Sequence, residues 1–175
     1  MICGYAGAGK STVARYVQSL RPHSQRLSFA QFVKDKVAKM YDIDRSLCDT
    51  QEGKNTIVEA THGIFTVRDL LIIHAESHKR KFGDGVWAEA VAEQIQSRPE
   101  VQDWILEDWR FPIEYTVLRE TFRSALIHRF RVRNDNVKPY NDAEKAMDTE
   151  PMHAILDNTK QDKSELIVQL QDAIQ

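Results

Sequence analysis

Apolar positions along the chain fall alternately into short runs and into stripes of helical spacing. Met1-Ile2-Cys3 is a short apolar run, and Val13, Tyr16, Val17 and Leu20 then recur every third or fourth residue up to Arg21-Pro22. Arg26-Leu27-Ser28-Phe29 reads as a second strand, with Phe29, Val33, Val37 and Met40 as the stripe of a second helix. Residues 42–65 are polar and irregular, and a short helix is predicted near Thr56–Ala60. Thr66, with Asp69 three residues on, predicts a helix start. Val67, Leu70, Leu71, His74 and His78 continue that helix until Gly83-Asp84-Gly85 breaks it. Val86, Trp87, Ala90, Val91 and Ile95 form the next stripe, which stops at Arg98-Pro99.

Trp104-Ile105-Leu106-Glu107 has the look of a buried parallel strand that ends in acid. Pro112 suits the first turn of the following helix, which carries Ile113, Val117, Leu118 and Phe122. Ala125–Phe130 predicts another strand, residues 132–152 a long polar loop, and His153–Leu156 the last strand. Ser164 is placed as the cap of a closing helix through Leu166, Ile167, Leu170 and Ile174. The alternation predicts an α/β sandwich with a parallel sheet, in one domain over residues 1–175. Ligands of such sheets bind at the carboxyl ends of the strands.

Composition narrows this picture little. The 175 residues are 42% hydrophobic and 29% charged, ordinary for a globular protein. A net charge of −2 argues against a general nucleic-acid binder. No apolar run is long enough to span a membrane, and no signal peptide is read before the first strand. Cys3 and Cys48 lack metal or redox spacing, which suits free thiols in the cytoplasm.

Gly4-Tyr5-Ala6-Gly7-Ala8-Gly9-Lys10-Ser11 changes the picture decisively, because it fits G-x-x-x-x-G-K-[ST], the phosphate-binding P-loop. Glycines let successive N–H groups turn inward around anionic oxygens, and the helix behind adds its positive end. The cradle is read over Gly4, Gly7, Ala8, Gly9, Lys10, Ser11 and Thr12. Lys10 would reach the β- and γ-phosphates, and the Ser11 hydroxyl would ligate Mg²⁺.

Other candidates stand at strand ends and helix starts. In Glu107-Asp108-Trp109-Arg110, Asp108 would hold a magnesium water and Arg110 a phosphate; a surface turn with an internal Asp–Arg pair is the alternative. Lys34 follows Ser28-Phe29-Ala30 on the second helix. Arg68 opens a helix at its positive end, a position better explained if it meets an anion, and Arg80 lies further along. Arg131 and Arg133 share a strand face and precede the long loop, as arginines of a closing lid or of a protected basic edge strand. Asp142, Glu144, Asp148 and Glu150 would order the lid, pair with those arginines or form a solvated run. The histidines, including His62, His74 and His78, do not assemble a zinc pattern. Trp87 and Trp104 read as core, whereas Trp109, inside the acidic motif, is a candidate to stack on a base.

The P-loop, Leu27-Ser28-Phe29-Ala30 with Lys34, Thr66-Val67-Arg68-Asp69-Leu70-Leu71, Phe82-Gly83-Asp84 with Trp87, and Asp108-Trp109-Arg110-Phe111 with Glu114 together resemble the phage and viral deoxynucleoside monophosphate kinases. The order and spacing match across nearly the whole chain. The resemblance implies a P-loop NTPase three-layer sandwich of nucleoside monophosphate kinase type, with ATP and Mg²⁺ as cosubstrate and cofactor. It implies a deoxynucleoside monophosphate as acceptor, a cytoplasmic setting and dimers such as occur in that family. By this likeness Lys10 and Ser11 act on ATP and metal, and Asp108 assists magnesium. Phe29, Lys34, Arg68, Arg80, Trp87 and Arg110 face the acceptor, with acceptor helices over about residues 31–98. Arg131 or Arg133 holds the transferring phosphoryl from a lid over about residues 132–152, and Asn158 lies near the adenine.

Two departures stand out. Asp148-Thr149-Glu150-Pro151 replaces the family's lid pattern, with His153 shifted, and the chain is short beside larger phage members. Phosphomevalonate kinases share the outline and offer a non-nucleotide acceptor. A nucleotide-dependent switch is the reading from another class; no guanine-specificity signal and no water-positioning Gln near the acidic motif support it.

Overall fold

A computed structural model describes residues 1–139 and 142–174. Of the expected lid, Tyr140, Asn141 and the side chains of Asp142 and Ala143 lie outside the described residues. In chain order the elements are β1 (Ile2–Cys3), α1 (Lys10–Leu20), β2 (Gln25–Leu27), α2 (Phe29–Tyr41), a 3-10 turn (Arg45–Cys48), α3 (Gln51–Lys54), β3 (Ile57–Ala60) and β4 (Gly63–Thr66). They continue with α4 (Val67–Phe82), α5 (Val86–Gln96), β5 (Trp104–Leu106), α6 (Pro112–Thr121), β6 (Phe130–Arg133), α7 (Asp142–Lys145), β7 (Ala154–Asp157) and α8 (Lys163–Ile174). No described helix is long and apolar enough to cross a membrane.

The strands form parallel arrays. β1, β6 and β7 pair in that order, with Ile2 opposite Phe130 and Arg133 opposite Asp157. β2 pairs with β5, Leu27 opposite Leu106. A backbone bond from Trp109 N–H to Ile2 O, 3.2 Å, ties the chain just beyond β5 to β1. Successive strand residues point to opposite faces, so Ile2 and Ile105 enter one core while Cys3 and Leu106 enter another. The first core holds Val13 and Ala14 of α1 with Leu166 and Leu170 of α8. The second holds Phe29, Ala88, Val91 and Leu118 from α2, α5 and α6. Each fully buried Leu or Val stabilises by about 1.5–3 kcal/mol. A third cluster, with Val37, Val58, Val67, Leu70 and Trp87, joins α2, α4, α5 and the β3–β4 hairpin.

Local chemistry accounts for the element ends. Thr66 accepts from the Asp69 amide and Asp69 from the Thr66 amide, closing the expected cap of α4, and Gly83 at φ 101° ends it. Pro112 occupies the first turn of α6 as expected.

Six expectations are corrected. The helix near Thr56–Ala60 is instead a β-hairpin, with Ile57 opposite Thr66 and Ala60 opposite Gly63. Phe29 opens α2 rather than closing β2, and Met40 leaves the buried stripe, 54% exposed. In α5 the buried alanine is Ala88, not Ala90. The strand expected at Ala125–Phe130 starts at Phe130, because its partners begin at Ile2 on one side and Ala154 on the other. Ser164 lies inside α8; Asp162 caps it by accepting from the Ser164 and Glu165 amides.

Candidate active site

The glycine-rich loop follows β1 and owes its shape to three backbones in the left-handed region. Gly4, Gly7 and Gly9 have φ of +138°, +80° and +108°. A Cβ at Gly4 would collide with Val132 O, and one at Gly9 with Asn158 Nδ2. The loop therefore lies directly against β6 and the residue after β7. Asn158 Nδ2 donates to Ala8 O at 2.9 Å, bracing the buried turn. Gly9 caps α1, whose first turn carries Lys10, an exposed Ser11 and Thr12.

Lys10 Nζ donates to Gly4 O (2.8 Å) and Tyr5 O (2.9 Å), so the ammonium curls over its own loop. Burial pushes its pKa down and Arg110 pushes the same way, opposed by Glu144, Cys3 and Asp108. An anionic oxygen already meets the loop: the Ala6 amide donates to Glu144 Oε1 at 3.3 Å. Tyr5 O–H donates to Asp148 Oδ2 at 2.8 Å, and the Arg131 guanidinium donates to Asp148 and, at 2.9 Å, to Met147 O. Glu144 and Asp148 thus rest on the loop, and Asp148 pairs with Arg131, one of the arrangements expected of these acids. Burial acts upward on the Asp148 carboxyl, but its bonds from Arg131 and Tyr5 outweigh that and hold it below the usual range.

Asp108 stands at the carboxyl end of β5 and binds the start of α2. It accepts from Ser28 Oγ (2.7 Å), Phe29 N–H (2.9 Å) and Ala30 N–H (3.0 Å). Neighbouring Glu107 pairs with Arg26 at 2.6 Å, across β2 and β5. Trp109 is 1% exposed with its N–H spent on Phe111 O, so its ring belongs to the core and offers no face to a base. Arg110 projects to solvent, and its amide donates to Glu114 Oε2 at 2.8 Å. The Phe111 amide donates to the same oxygen at 3.1 Å. Burial raises the Glu114 pKa to about 7 against those two bonds, with Asp108 adding to the rise and Arg110 opposing it.

Lys34 of α2 and Arg68 of α4 both reach the segment that carries Lys54, the last residue of α3. Lys34 Nζ donates to Asp49 Oδ1 (2.8 Å), and Arg68 Nη2 to Gln51 Oε1 (2.7 Å), so both are tied to the segment carrying Lys54. Arg45 holds Asp49 from the other side at 2.8 Å and Asp35 at 2.5 Å. Burial pushes the Lys54 pKa down, Lys34, Arg68 and Arg110 push it further, and Asp49 opposes them. Sequence reasoning missed Lys54. Its signal is the adjacent Gly53, where a Cβ would stand 2.6 Å from Leu47 Cα and O, so the turn presenting Lys54 is fixed by close backbone packing.

Other expected residues stand apart from this convergence. Arg80 is exposed in the last turn of α4, about 18 Å along the axis from Arg68 at 1.5 Å per residue. Its neighbour Lys79 sits over the Phe111 ring at 4.0 Å. Phe29 is 3% exposed and offers its amide, not its ring, to the site. Trp87 is buried in the third core, stacked on His78 at 5.2 Å, with a buried indole N–H that has no partner among the described residues. Arg133 shares the Arg131 face of β6 but pairs outward with Asp157 and, at 3.6 Å, Asp135. His153 lies at the opposite end of β7, accepting from the Arg129 amide at 3.0 Å.

Among the described residues no group of three or more His, Cys, Asp or Glu converges to hold a metal. Magnesium needs no such cluster, since one or two protein ligands plus phosphate oxygens suffice. The exposed Ser11 hydroxyl and Asp108 Oδ1, which takes only the Phe29 amide, fit that requirement. No protein-family model matches the chain, and no curated protein matches it.

Proposed function

We propose that this chain is an ATP-dependent deoxynucleoside monophosphate kinase built on a P-loop three-layer sandwich. The observation that carries the reading is the glycine-rich loop between β1 and α1, where left-handed Gly4, Gly7 and Gly9 fold the backbone into a turn at the start of α1 and Lys10 lies over it. Such a loop is suited to hold the phosphates of a nucleotide.

In this reading the loop amides and Lys10 grip the triphosphate of ATP, with Asn158 close to the adenine. Lys34, Arg68 and Arg110 hold the acceptor's phosphate. An acceptor phosphate oxygen attacks the γ-phosphorus while the bond to the β–γ bridging oxygen breaks, giving ADP and a nucleoside diphosphate. The acceptor is already ionised near neutral pH, because the second pKa of a phosphate monoester is about 6. Positioning and charge neutralisation therefore supply the rate, and no strong general base is required. Arg131, freed from Asp148, turns to the transferring group. Ser11 and Asp108 would hold magnesium, which would supply positive charge to offset that of the phosphates.

The test is ADP release from ATP and magnesium with no acceptor, with four deoxynucleoside and four ribonucleoside monophosphates, and with phosphomevalonate. At least one deoxynucleoside monophosphate is expected to raise the rate about 100-fold or more over the acceptor-free rate, well inside the range of enzymatic accelerations. A rate independent of acceptor overturns the reading in favour of a hydrolysing switch. Turnover with phosphomevalonate alone overturns the acceptor class.

A further inference from the structure

Arg131 and Arg133 leave β6 on the same face, yet their guanidinium groups end in different places. The Arg131 side chain is 15% exposed, and its Cζ lies 5.6 Å from the centre of the Tyr5 ring, within reach of a cation–π contact. The Arg133 side chain is 54% exposed and pairs with Asp135 and Asp157, away from the loop. Tyr5 is a firm platform, because its carbonyl accepts from the Ala8 amide at 3.1 Å and from Lys10 Nζ at 2.9 Å. Its hydroxyl donates to Asp148 Oδ2 at 2.8 Å, and Asp148 Oδ1 accepts from Arg131. The second bond of Arg131, to Met147 O at 2.9 Å, goes to the same segment as Asp148. When an anion draws Arg131 away from Met147 and Asp148, those bonds are given up. The Tyr5 ring stays, because it belongs to the loop. A guanidinium resting on a ring keeps its N–H groups available for oxygens.

We propose that Tyr5 is a positioning residue for Arg131: its ring holds the guanidinium beside the glycine loop while a phosphoryl group takes the place that the Asp148 carboxylate occupies. The inference rests on the phosphoryl-transfer reading above and adds to it the residue that sets Arg131 apart from Arg133. Tyr5 acts through Arg131 and not on the substrate. A guanidinium that is already ordered over the loop loses less rotamer freedom when it meets the transferring group. The Asp148 carboxylate serves as the stand-in anion, since it meets Arg131 with one oxygen and the Tyr5 hydroxyl with the other.

The test uses the full chain as wild type, Tyr5→Phe, Tyr5→Leu, Arg131→Ala and the double variant Tyr5→Leu with Arg131→Ala. ADP release is followed with ATP, magnesium and the best of the four deoxynucleoside monophosphates. Tyr5→Leu is expected to lower kcat about 3- to 30-fold, the range of one cation–π contact, with both KM values within about twofold of wild type. Tyr5→Phe keeps the ring and loses the hydroxyl, and its kcat is expected to return to within about threefold of wild type. In the Arg131→Ala background Tyr5→Leu is expected to change kcat by less than about twofold, because no guanidinium is left to place. A leucine that merely slackens the loop would instead lower kcat by the same factor in both backgrounds and raise the ATP KM. That result, or a wild-type kcat in Tyr5→Leu, overturns the proposal and leaves the kinase reading standing. In wild type the Arg131 Nε–H resonance, assigned through Arg131→Lys, is expected to be moved upfield by the ring both without ligand and with saturating ADP and magnesium. An unmoved resonance overturns the proposal even if the leucine variant fails to fold. A wild type that transfers to none of the four monophosphates overturns both.

Discussion

The two cationic centres are built in opposite ways. The glycine loop is made by backbone: eight consecutive residues, three left-handed glycines and the first turn of α1 create its shape. The cluster around Lys54 is made by side chains from α2, α3 and α4, whose alignment depends on the third core. A backbone site survives loss of distant packing better than a site assembled across elements. The assembled site is in turn easier to retune, since each cation changes without disturbing a shared turn.

Lys10→Ala breaks the comparison at its strongest point. Its side chain is the one part of the loop that amides cannot replace, and kcat is expected to fall about 10²- to 10³-fold, the usual loss for one charge-stabilising donor. An acceptor-saturated rate close to wild type in the ADP-release assay removes Lys10 from the chemistry.

Glu114 sharpens the contrast, because it anchors the Arg110 and Phe111 amides of the assembled site and has no counterpart in the loop. Its pKa is raised from 4.5 to about 7 by burial. Between those values the unfolded chain has lost the proton while the folded chain keeps it. Stability from this group is therefore full below pH 4.5 and is lost as pH rises to about 7. The displacement from 4.5 to about 7 corresponds to up to about 3 kcal/mol at about 1.36 kcal/mol per unit. Glu114→Gln, with no proton to lose, is expected to flatten the fall; urea midpoints measured from pH 4.5 to 7 check it, and parallel wild-type and variant profiles refute it.

Arg68→Ala tests the assembled site by one member. The acceptor KM is expected to rise about tenfold, worth about 1.4 kcal/mol, with kcat and the ATP KM little changed. An unchanged acceptor KM separates Arg68 from the substrate. The smallest effect is expected from Arg133→Ala, because that guanidinium is 54% exposed and occupied by Asp157 and Asp135. Its kcat/KM should stay within about twofold of wild type while Arg131→Ala loses far more. Equal losses would return Arg133 to the transferring phosphoryl.

These two constructions also explain what the amino-acid sequence reveals on reading. The loop is legible because its whole geometry is local, and the same holds for the Thr66–Asp69 cap, Pro112 and Gly83. The convergence of Lys34 and Arg68 is visible in the sequence only through family likeness, because nothing in their spacing states that α2 and α4 meet. Lys54 escapes both routes, being a single lysine beside a glycine in a polar stretch. The β3–β4 hairpin hides because Ile57 and Ile64 point outward at 68% and 71% exposure, and Thr61-His62 lacks a glycine–asparagine turn signal. Strand length at β6 is decided by its partners, which no window of Ala125–Phe130 contains.

The Asn158 amide that braces Ala8 O lies 150 residues further along the chain. A ribosome adding about 5–20 residues per second therefore completes the loop's motif roughly 8–30 s before it delivers the brace. During that interval the nascent protein owns a recognisable nucleotide motif without the support that rigidifies it. Translation that stops short of Asn158 releases a fragment with Lys10 and every glycine of the loop, yet with a slack turn behind them.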